Sequence, residues 1–230
     1  MLVLLKGFNM HEKISIIGAG SWGTALAIHL AGNFGQISLW VYEKELCETI
    51  TRTRDNAWFL TGHPLPKNIH PTSSLQSAVQ GQSLILLVVP THVIRQTLSQ
   101  IKPFIEKDCL VISASKGIEN DTLFTSHQIT QDVLGPKTST ATISGPTFAK
   151  EIAEGVPSAL LASAKNLETA RLVQELFTTD KMKVFANDDL VGVEIGGALK
   201  NVIAIATGIS DGLGLGYNTR ATLITRGLVE

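Results

Sequence analysis

The stretch ISIIGAGSWGTALAIHLA, residues 14–31, places three glycines between an apolar run and a segment with helical character. Gly18, Gly20 and Gly23 match the pattern G-x-G-x-x-G. Between a strand and a helix, such glycines permit a tight turn, close approach of a pyrophosphate and tight packing of helix on strand. A turn that merely connects two elements is the alternative. A strand before it, and a helix and second strand after it, favour dinucleotide binding.

Working outward from this stretch, apolar β-branched runs alternate with helical patterns. Most of the runs are continuously apolar, which is typical of a sheet covered by helices on both faces. The alternation predicts an α/β fold with a Rossmann-type doubly wound, mainly parallel sheet. We predict strands at 13–17, 36–41, 83–89, 109–114, 138–144, 158–162 and 181–186, and helices at 22–32, 43–51, 91–102, 121–133, 147–154 and 167–177.

The pattern changes after Asn187. Residues 188–212, DDLVGVEIGGALKNVIAIATGISDG, predict a helix of more than five turns, and their two leading acids suit the positive end of a helix dipole. SDGLGLG, residues 210–216, predicts a bend. We therefore expect an N-terminal extension at 1–12, a dinucleotide-binding domain at 13–187 and the start of an all-helical domain at 188–230. Because the final helical pattern has no capping glycine or proline after it, we expect a longer protein.

Composition narrows the function classes. Of the 230 residues, 44% are hydrophobic, which suffices for a globular core. Nineteen basic side chains nearly balance twenty acidic ones without a basic stripe, which argues against a nucleic-acid partner. Six scattered histidines lack the H-E-x-x-H pattern, so no metal site is predicted. The absence of G-x-S-x-G argues against a serine hydrolase.

Cysteine usage and hydropathy bear on the compartment. Cys47 and Cys109 are far apart in apolar surroundings, which predicts free thiols in a reducing compartment. No apolar run approaches the about 18 residues of a membrane span. The opening MLVLLKGFNM lacks the basic start and cleavage site of a signal peptide. We therefore expect a cytoplasmic protein without a membrane span.

The choice between NAD and NADP stays open. Glu43 lies 25 positions after Gly18, near the place where an acid binds a ribose 2′-OH and favours NAD. Tyr42 and Lys44 flank it, and a cation there could instead accept a 2′-phosphate. Glu43 would equally suit the start of a helix.

Five blocks together identify a family. They are GAGSWGTALA (18–27), VVPTHV (88–93), SASKGIE (113–119), SGPTFAKEIAEG (144–155) and GGALKNVIAIATGISDGLGLGYNTRATLITRGL (196–228). In this order, from about residue 13 to 230, the sequence resembles bacterial-type NAD(P)-dependent glycerol-3-phosphate dehydrogenases. The resemblance implies reversible reduction of dihydroxyacetone phosphate to sn-glycerol 3-phosphate with NADH or NADPH, which feeds phospholipid synthesis. A homodimer is compatible with it, although the sequence does not give the oligomeric state.

The resemblance also implies roles residue by residue. Lys116 would meet both cofactor and substrate, and Lys200 would be the proton donor and acceptor. The residue after it, Asn201, is interpreted either as assisting by hydrogen bonding or as a buried amide that packs the helix. The remaining implied contacts are Ser21, Trp22, Tyr42 and Ala149 for the cofactor, and Gly145 and Thr147 for the substrate. The family more often has histidine or arginine at the Tyr42 position, which weakens any prediction of 2′-phosphate recognition. Its phosphate-gripping residues lie beyond Glu230, so a chain ending there would bind cofactor poorly and not catalyse.

The chemistry of ketone reduction suits these lysines. A proton must reach the carbonyl oxygen as negative charge builds there, and a lysine can deliver it if burial or a second cation lowers its pKa. Lys200 lies in the apolar run ALKNVIAIA, so we expect it to be desolvated, with Lys116 as the second cation. A lysine snorkelling on a helix surface is the alternative. Gly196 and Gly197, one turn earlier, favour close approach on that face.

SGPTF follows a predicted strand, and we expect Pro146 in the first turn of a helix whose free N–H groups form an anion or hydroxyl site. His92, after another strand, is interpreted as a helix-start histidine without a ligand. Two other functions stay open: another lysine-dependent Rossmann dehydrogenase, of the 3-hydroxyacid or 6-phosphogluconate type, and a non-catalytic dinucleotide-binding fragment. The block SGPTFAKE argues against the first, and the retained Lys116 and Lys200 argue against the second.

Overall fold

A computed structural model describes residues 13–229, and the predicted extension at 1–12 lies outside them. Within this range the strands form a single eight-stranded sheet with the order β3-β2-β1-β4-β5-β6-β7-β8. The strands are β1 (Lys13–Ile17), β2 (Gln36–Trp40), β3 (Ile69–Thr72), β4 (Leu84–Leu87), β5 (Leu110–Ser113), β6 (Ser139–Ser144), β7 (Ser158–Ala164) and β8 (Met182–Asn187). Neighbouring strands are parallel except β6 and β7, which pair antiparallel. The predicted mainly parallel α/β sheet is confirmed.

Helices connect the strands and cover both faces. They are α1 (Ser21–Leu30), α2 (Lys44–Thr53), α3 (Leu75–Val79), α4 (Thr91–Ile101), α5 (Ser126–Leu134), α6 (Ala149–Ala153), α7 (Leu167–Phe177), α8 (Leu190–Gly212) and α9 (Gly216–Val229). Alternate residues of β4 point to opposite sides: Leu84 and Leu86 join one apolar cluster, and Ile85 and Leu87 join the other. Burial on both faces explains why this strand is apolar at every position.

The chain changes direction across the sheet between β1 and β4. It runs outward from β1 through β2 to β3, and then returns to place β4 on the other side of β1. Ile17 lies opposite Leu87, and Leu87 lies opposite Ser113, so β1, β4 and β5 end at the same level. Ligands of open α/β sheets bind at such a switch point, outside the carboxyl ends of the strands.

Two elements were not predicted. The edge strand β3 has only four residues, IHPT, and its Pro71 obscures the strand pattern although proline is tolerated at a sheet edge. The five-residue helix α3 begins after Ser74, whose hydroxyl accepts the Ser77 N–H. Both are too short to show a clear hydrophobic period.

Three predicted helices begin two or more residues later than expected, and one of them, α8, begins at Leu190 instead of residue 188. The helix predicted at 121–133 begins only at Ser126. Leu123 has a φ of +59°, which lies outside the right-handed helical region, so no helix can run through it. The helix predicted at 147–154 is α6, which begins at Ala149. The other predicted elements agree with the structure to within two residues at each end.

Beyond β8 the structure is helical. In α8, Leu190, Val193 and Glu194 are buried, and the helix contacts β6 and β7. The predicted bend falls at residues 213–215, although Ser210 to Gly212 still belong to α8. In the described part of the chain, α8 is long and apolar enough to cross a membrane by length and composition, criteria that a core helix of a soluble protein also meets.

Candidate active site

The glycine turn has the geometry that a dinucleotide phosphate needs. Gly18 has a φ of +119°, and a Cβ on it would lie 2.4 Å from the carbonyl oxygen of Val88. A Cβ on Gly23 would lie 1.9 Å from the carbonyl oxygen of Gly18. A Cβ on Gly20 would meet nothing within 4 Å, and no side chain caps α1 at this residue. The turn is therefore closed on the protein side and open at the helix N-terminus, which fits a pyrophosphate.

A buried side chain from a distant loop braces this turn. Asn56, which is fully buried, donates its amide to the Ala19 carbonyl and to the Thr24 hydroxyl, both at 2.8 Å. Thr24 in turn donates its hydroxyl to the Ala19 carbonyl at 3.2 Å. The sequence analysis missed Asn56, because nothing in the local pattern RDNAWFL indicates a contact 37 residues away.

The end of β2 lies beside the turn. The Gly18 N–H donates to the Trp40 carbonyl at 3.2 Å, which joins the two strand ends. Tyr42 is 75% exposed and meets the Trp40 ring edge-on at 5.9 Å between centroids. Glu43 is the N-cap residue of α2, and its side chain makes no capping hydrogen bond. Tyr42 and Glu43 are thus at the edge of the sheet where a ribose would follow the pyrophosphate.

Lys116 follows β5 and is held by neighbouring strand ends. Its Nζ donates to the Gly145 carbonyl at 3.1 Å, and its own carbonyl accepts the Thr91 hydroxyl at 2.9 Å. Gly117 has a φ of +138°, and a Cβ there would lie 2.5 Å from the Thr91 Oγ1. The backbone of Lys116 is therefore tied to the segment that follows β4, and its amine to the segment that follows β6.

The helix α8 reaches Lys116 through a glycine. A Cβ on Gly197 would lie 3.0 Å from the Ser144 Oγ and 3.8 Å from the Lys116 Cγ, so a larger residue would crowd this contact. Lys200 lies one turn later, and its Nζ donates to the Asn201 Oδ1 at 2.8 Å. Burial lowers the pKa of Lys116, and the charge of Lys200 lowers it further. The charge of Lys200 thus acts on the Lys116 amine, although the two residues are 84 positions apart in sequence.

The expected burial of Lys200 is wrong. Lys200 and Asn201 are both exposed, whereas Lys116 is partly buried. After Gly197, α8 leaves the sheet, and most of its described side chains are exposed. The apolar run around Lys200 therefore does not exclude solvent within residues 13–229, and desolvation acts on Lys116 instead.

The expected helix start in SGPTF is also wrong. Phe148 is the N-cap residue of α6, so Pro146 precedes the helix and forms no part of its first turn. The Gly145 carbonyl, which would have been the N-cap acceptor, accepts the Lys116 amine instead. The partly buried Thr147 has its hydroxyl 3.5 Å from the same oxygen, a weak contact. The helix α6 packs against α1, which brings Ala149 close to the element that follows the glycine turn.

A cleft of about 380 Å³ opens where β4 and β5 end. Its lining includes Lys116 and residues that the sequence analysis did not assign to the site: Pro90, Thr91, His92, Gly117, Ile118 and Asn120. A larger cavity of about 550 Å³ is lined by Gly81, Ser83 and residues 105–108, near the start of β4 and β5. That larger cavity lies at the opposite edge of the sheet from the glycine turn. The smaller cleft lies at the same edge as the turn and is the candidate active-site cleft.

Two family profiles cover most of the chain. The profile described as NAD-dependent glycerol-3-phosphate dehydrogenase N-terminus matches residues 13–170, and the corresponding C-terminus profile matches residues 189–230. The chain belongs to the NAD-dependent glycerol-3-phosphate dehydrogenase family. The resemblance drawn from the five sequence blocks is thereby confirmed.

Individual relatives of this glycerol-3-phosphate dehydrogenase family agree. A glycerol-3-phosphate dehydrogenase [NAD(P)+] from Citrifermentans bemidjiense is 51% identical over 223 residues, which cover 96% of this chain and 67% of the relative. The crystal structure of glycerol-3-phosphate dehydrogenase from Coxiella burnetii superposes with a TM-score of 0.88 at 36% identity, covering 96% of this chain and 67% of that one. The enzyme GPD1 from Saccharomyces cerevisiae gives 0.83 at 28% identity, covering 94% and 68%.

Within this dehydrogenase-family fold, the predicted residues converge on one edge of the sheet. The glycine turn follows β1, Tyr42 and Glu43 follow β2, Lys116 follows β5, and Gly145 and Thr147 follow β6. The helix α8 approaches the same edge at Gly197, next to Ser144 and the Lys116 side chain. One signal could have identified the missed Thr91 and Asn120: like Lys116, they follow the ends of neighbouring parallel strands.

Proposed function

We propose that this chain is an NAD(P)-dependent oxidoreductase that interconverts sn-glycerol 3-phosphate and dihydroxyacetone phosphate. One observation carries the proposal: the Lys116 amine, bonded to Gly145 and electrostatically coupled to Lys200, lies at the sheet edge that holds the glycine turn. The relatives named glycerol-3-phosphate dehydrogenase [NAD(P)+] support the substrate and the cofactor. The product would supply phospholipid synthesis in the cytoplasm.

The dinucleotide would supply the hydride in the reducing direction. Gly18, Gly20 and Gly23 would hold its pyrophosphate, with Ser21 and Trp22 contributing from the first turn of α1. Tyr42 and Glu43 would border the ribose next to it, while Lys116 and Ala149 would contact its other half. These roles rest on the open face of Gly20, the uncapped start of α1 and the packing of α6 on α1.

The substrate would lie between the two lysines. Its phosphate carries negative charge, so two ammonium groups attract it, and hydrogen bonds from Gly145 and Thr147 would fix its position. As the carbonyl carbon is reduced, negative charge grows on the carbonyl oxygen. The ammonium of Lys200 would give that oxygen a proton, and in the reverse direction its neutral amine would take the proton from the hydroxyl.

Asn201 would keep the proton donor in place. Its side-chain oxygen accepts the Lys200 Nζ at 2.8 Å, which restricts an otherwise flexible lysine. Lys116 would act as the second cation beside the substrate. Burial lowers the pKa of Lys116, and the charge of Lys200 adds to the decrease.

We also propose that residues 13–187 form the dinucleotide-binding domain and that residues 188–230 begin a helical substrate domain. The last strand ends at Asn187, and two helices follow it. The two family profiles, which match residues 13–170 and 189–230, support a boundary in this region.

The activity is tested by following the oxidation of NADH and NADPH with dihydroxyacetone phosphate. We expect oxidation in a form of the protein that extends to the length of its relatives, and the ratio of the two rates gives the cofactor preference. Lys200→Ala should abolish turnover while leaving dinucleotide binding intact. Absence of oxidation with both cofactors, in that form and in the present chain, would contradict the proposal.

A further inference from the structure

The helix α8 is attached to the sheet by its first two turns. Leu190, Val193 and Glu194 are buried, and Gly197 is the last residue of this face that approaches the sheet, at Ser144. Lys200 follows one turn, or about 5 Å along the axis, beyond Gly197. Its position relative to the sheet therefore depends on how these two turns are docked.

Glu194 is the polar member of this attachment. Its side chain is 8% exposed, and its Oε1 accepts the backbone N–H of His127 at 3.0 Å. His127 is the second residue of α5, whose first N–H groups have no partner within their own helix. A carboxylate at this place also suits the positive end of the helix dipole. Glu194 thus joins α8 to the start of a different helix.

A buried carboxyl here is costly, which argues that it has a use. Burial raises the pKa of Glu194, while the neighbouring Thr125 side chain and the hydrogen bond from the His127 N–H oppose the rise. The ion pairs of residues 13–229 do not include it. The nearby His127 ring supplies no positive charge near neutral pH, because burial and Lys165 lower its pKa to about 4. An apolar side chain would avoid this cost but could not accept the N–H.

We propose that Glu194 is a positioning residue: its carboxyl, docked on the first turn of α5, sets where α8 lies and so holds Lys200 next to Lys116. The inference rests on the proposed function. The proposed role requires no contact between Glu194 and substrate or cofactor. Along α8, Glu194 lies before Gly197 and Lys200 lies after it.

Three variants test the role of the accepting oxygen. Glu194→Gln keeps an oxygen at the same place, so we expect kcat within about twofold of the wild type. Glu194→Ala removes it, and because a misplacement of about 1 Å can cost about 100-fold in rate, we expect kcat to fall by about 10- to 100-fold. Dinucleotide KM and Kd should stay within about twofold. Glu175→Gln removes an exposed carboxylate from α7 and should change none of these values.

A second readout does not require activity. Titration of the Lys116 amine by NMR should show its pKa rising toward the ordinary lysine value in Glu194→Ala, because Lys200 moves away, and remaining lowered in Glu194→Gln. If Glu194→Ala does not fold, Glu194→Asp draws the carboxyl back by one methylene and should give the same changes in smaller measure.

The outcomes separate the two proposals. Absence of dehydrogenase activity in the wild type would refute the proposed function, whereas the Lys116 titration would still test the role of Glu194. The positioning role is refuted if Glu194→Ala leaves both kcat and the Lys116 pKa unchanged. It is also refuted if dinucleotide affinity falls in step with kcat, which would indicate a general structural role, or if Glu194→Gln is as damaging as Glu194→Ala.

Discussion

The glycine turn and the lysine-bearing part of α8 meet at one edge of the sheet but are held there in different ways. The turn is fixed by backbone contacts so close that single Cβ atoms would clash at Gly18 and Gly23, and the buried Asn56 braces it. Lys200 lies on an exposed stretch of helix whose nearest close contact with the sheet is at Gly197. The glycine turn is therefore defined by sterics within one compact unit, and the position of Lys200 by the docking of one helix.

The largest effect is expected at the turn. Gly23→Ala places a Cβ 1.9 Å from the Gly18 carbonyl, where backbone cannot yield easily. We expect a loss of about 3 kcal/mol in the free energy of unfolding and loss of dinucleotide binding. Urea unfolding and a fluorescence titration with NADH measure the two. Gly32→Ala, where a Cβ meets nothing within 4 Å, is the control. If Gly23→Ala binds NADH normally, the turn does not depend on these steric contacts and does not differ from α8 in this respect.

At the helix, two adjacent glycines form a matched pair. Gly197→Val pushes α8 away from Ser144 and the Lys116 stem, so kcat should fall by about 10- to 100-fold and the Lys116 pKa should rise. Gly196→Val makes no such contact, since a Cβ there meets nothing within 4 Å, and kcat should change by less than about twofold. Steady-state kinetics and NMR titration of Lys116 measure both. Equal losses in the two variants would show that docking at Gly197 is unimportant.

Removing the brace tests whether the turn depends on more than its own glycines. Asn56→Ala leaves the Ala19 carbonyl and the Thr24 hydroxyl without the amide, and we expect the free energy of unfolding to fall by about 1–3 kcal/mol. NADH affinity should weaken, whereas the pKa of Lys116 should change little. If the pKa of Lys116 also changes clearly in Asn56→Ala, the glycine turn and the lysine site are coupled through the sheet more tightly than their contacts indicate.

A change of stability with pH is expected at the docking site of α8. The pKa of His127 is lowered from 6.5 to about 4 by burial and Lys165, so the unfolded chain binds more protons between these values. The contribution of His127 to stability should therefore fall as the pH drops from about 6.5 to about 4, while the raised pKa of Glu194 acts in the opposite direction. His127→Gln should flatten this part of the pH profile, measured by urea unfolding. The backbone N–H of His127, and not its ring, donates to Glu194. If His127→Gln leaves the pH profile unchanged, titration of the ring does not affect the attachment of α8.

The sequence predicted the turn and the sheet well because both follow local rules. The three glycines occupy the conformations and contacts that their spacing indicates, and the apolar runs became buried strands. It failed where the answer depends on distant neighbours. The brace from Asn56 and the attachment through Glu194 join segments 37 and 67 residues apart, and no local pattern reveals them.

The exposure of Lys200 could not be read from its apolar neighbours for a related reason. Hydrophobic residues around a lysine indicate that a helix face is to be covered, but they do not specify what covers it. Likewise, Pro146 is a good first-turn residue, yet the Lys116 amine occupies the Gly145 carbonyl that such a helix would use. The predicted roles of the individual site residues stay predictions that the variants above can test.

The continuity of α8 has a consequence for how its sequence can vary. One unbroken helix carries Glu194, Gly197 and Lys200. The number of residues between them therefore sets both their angle around the helix axis and their distance along it. Adding or removing a single residue between Glu194 and Lys200 would swing the amine by about 100° around the axis. An insertion or deletion in this interval would turn the Lys200 amine away from Lys116.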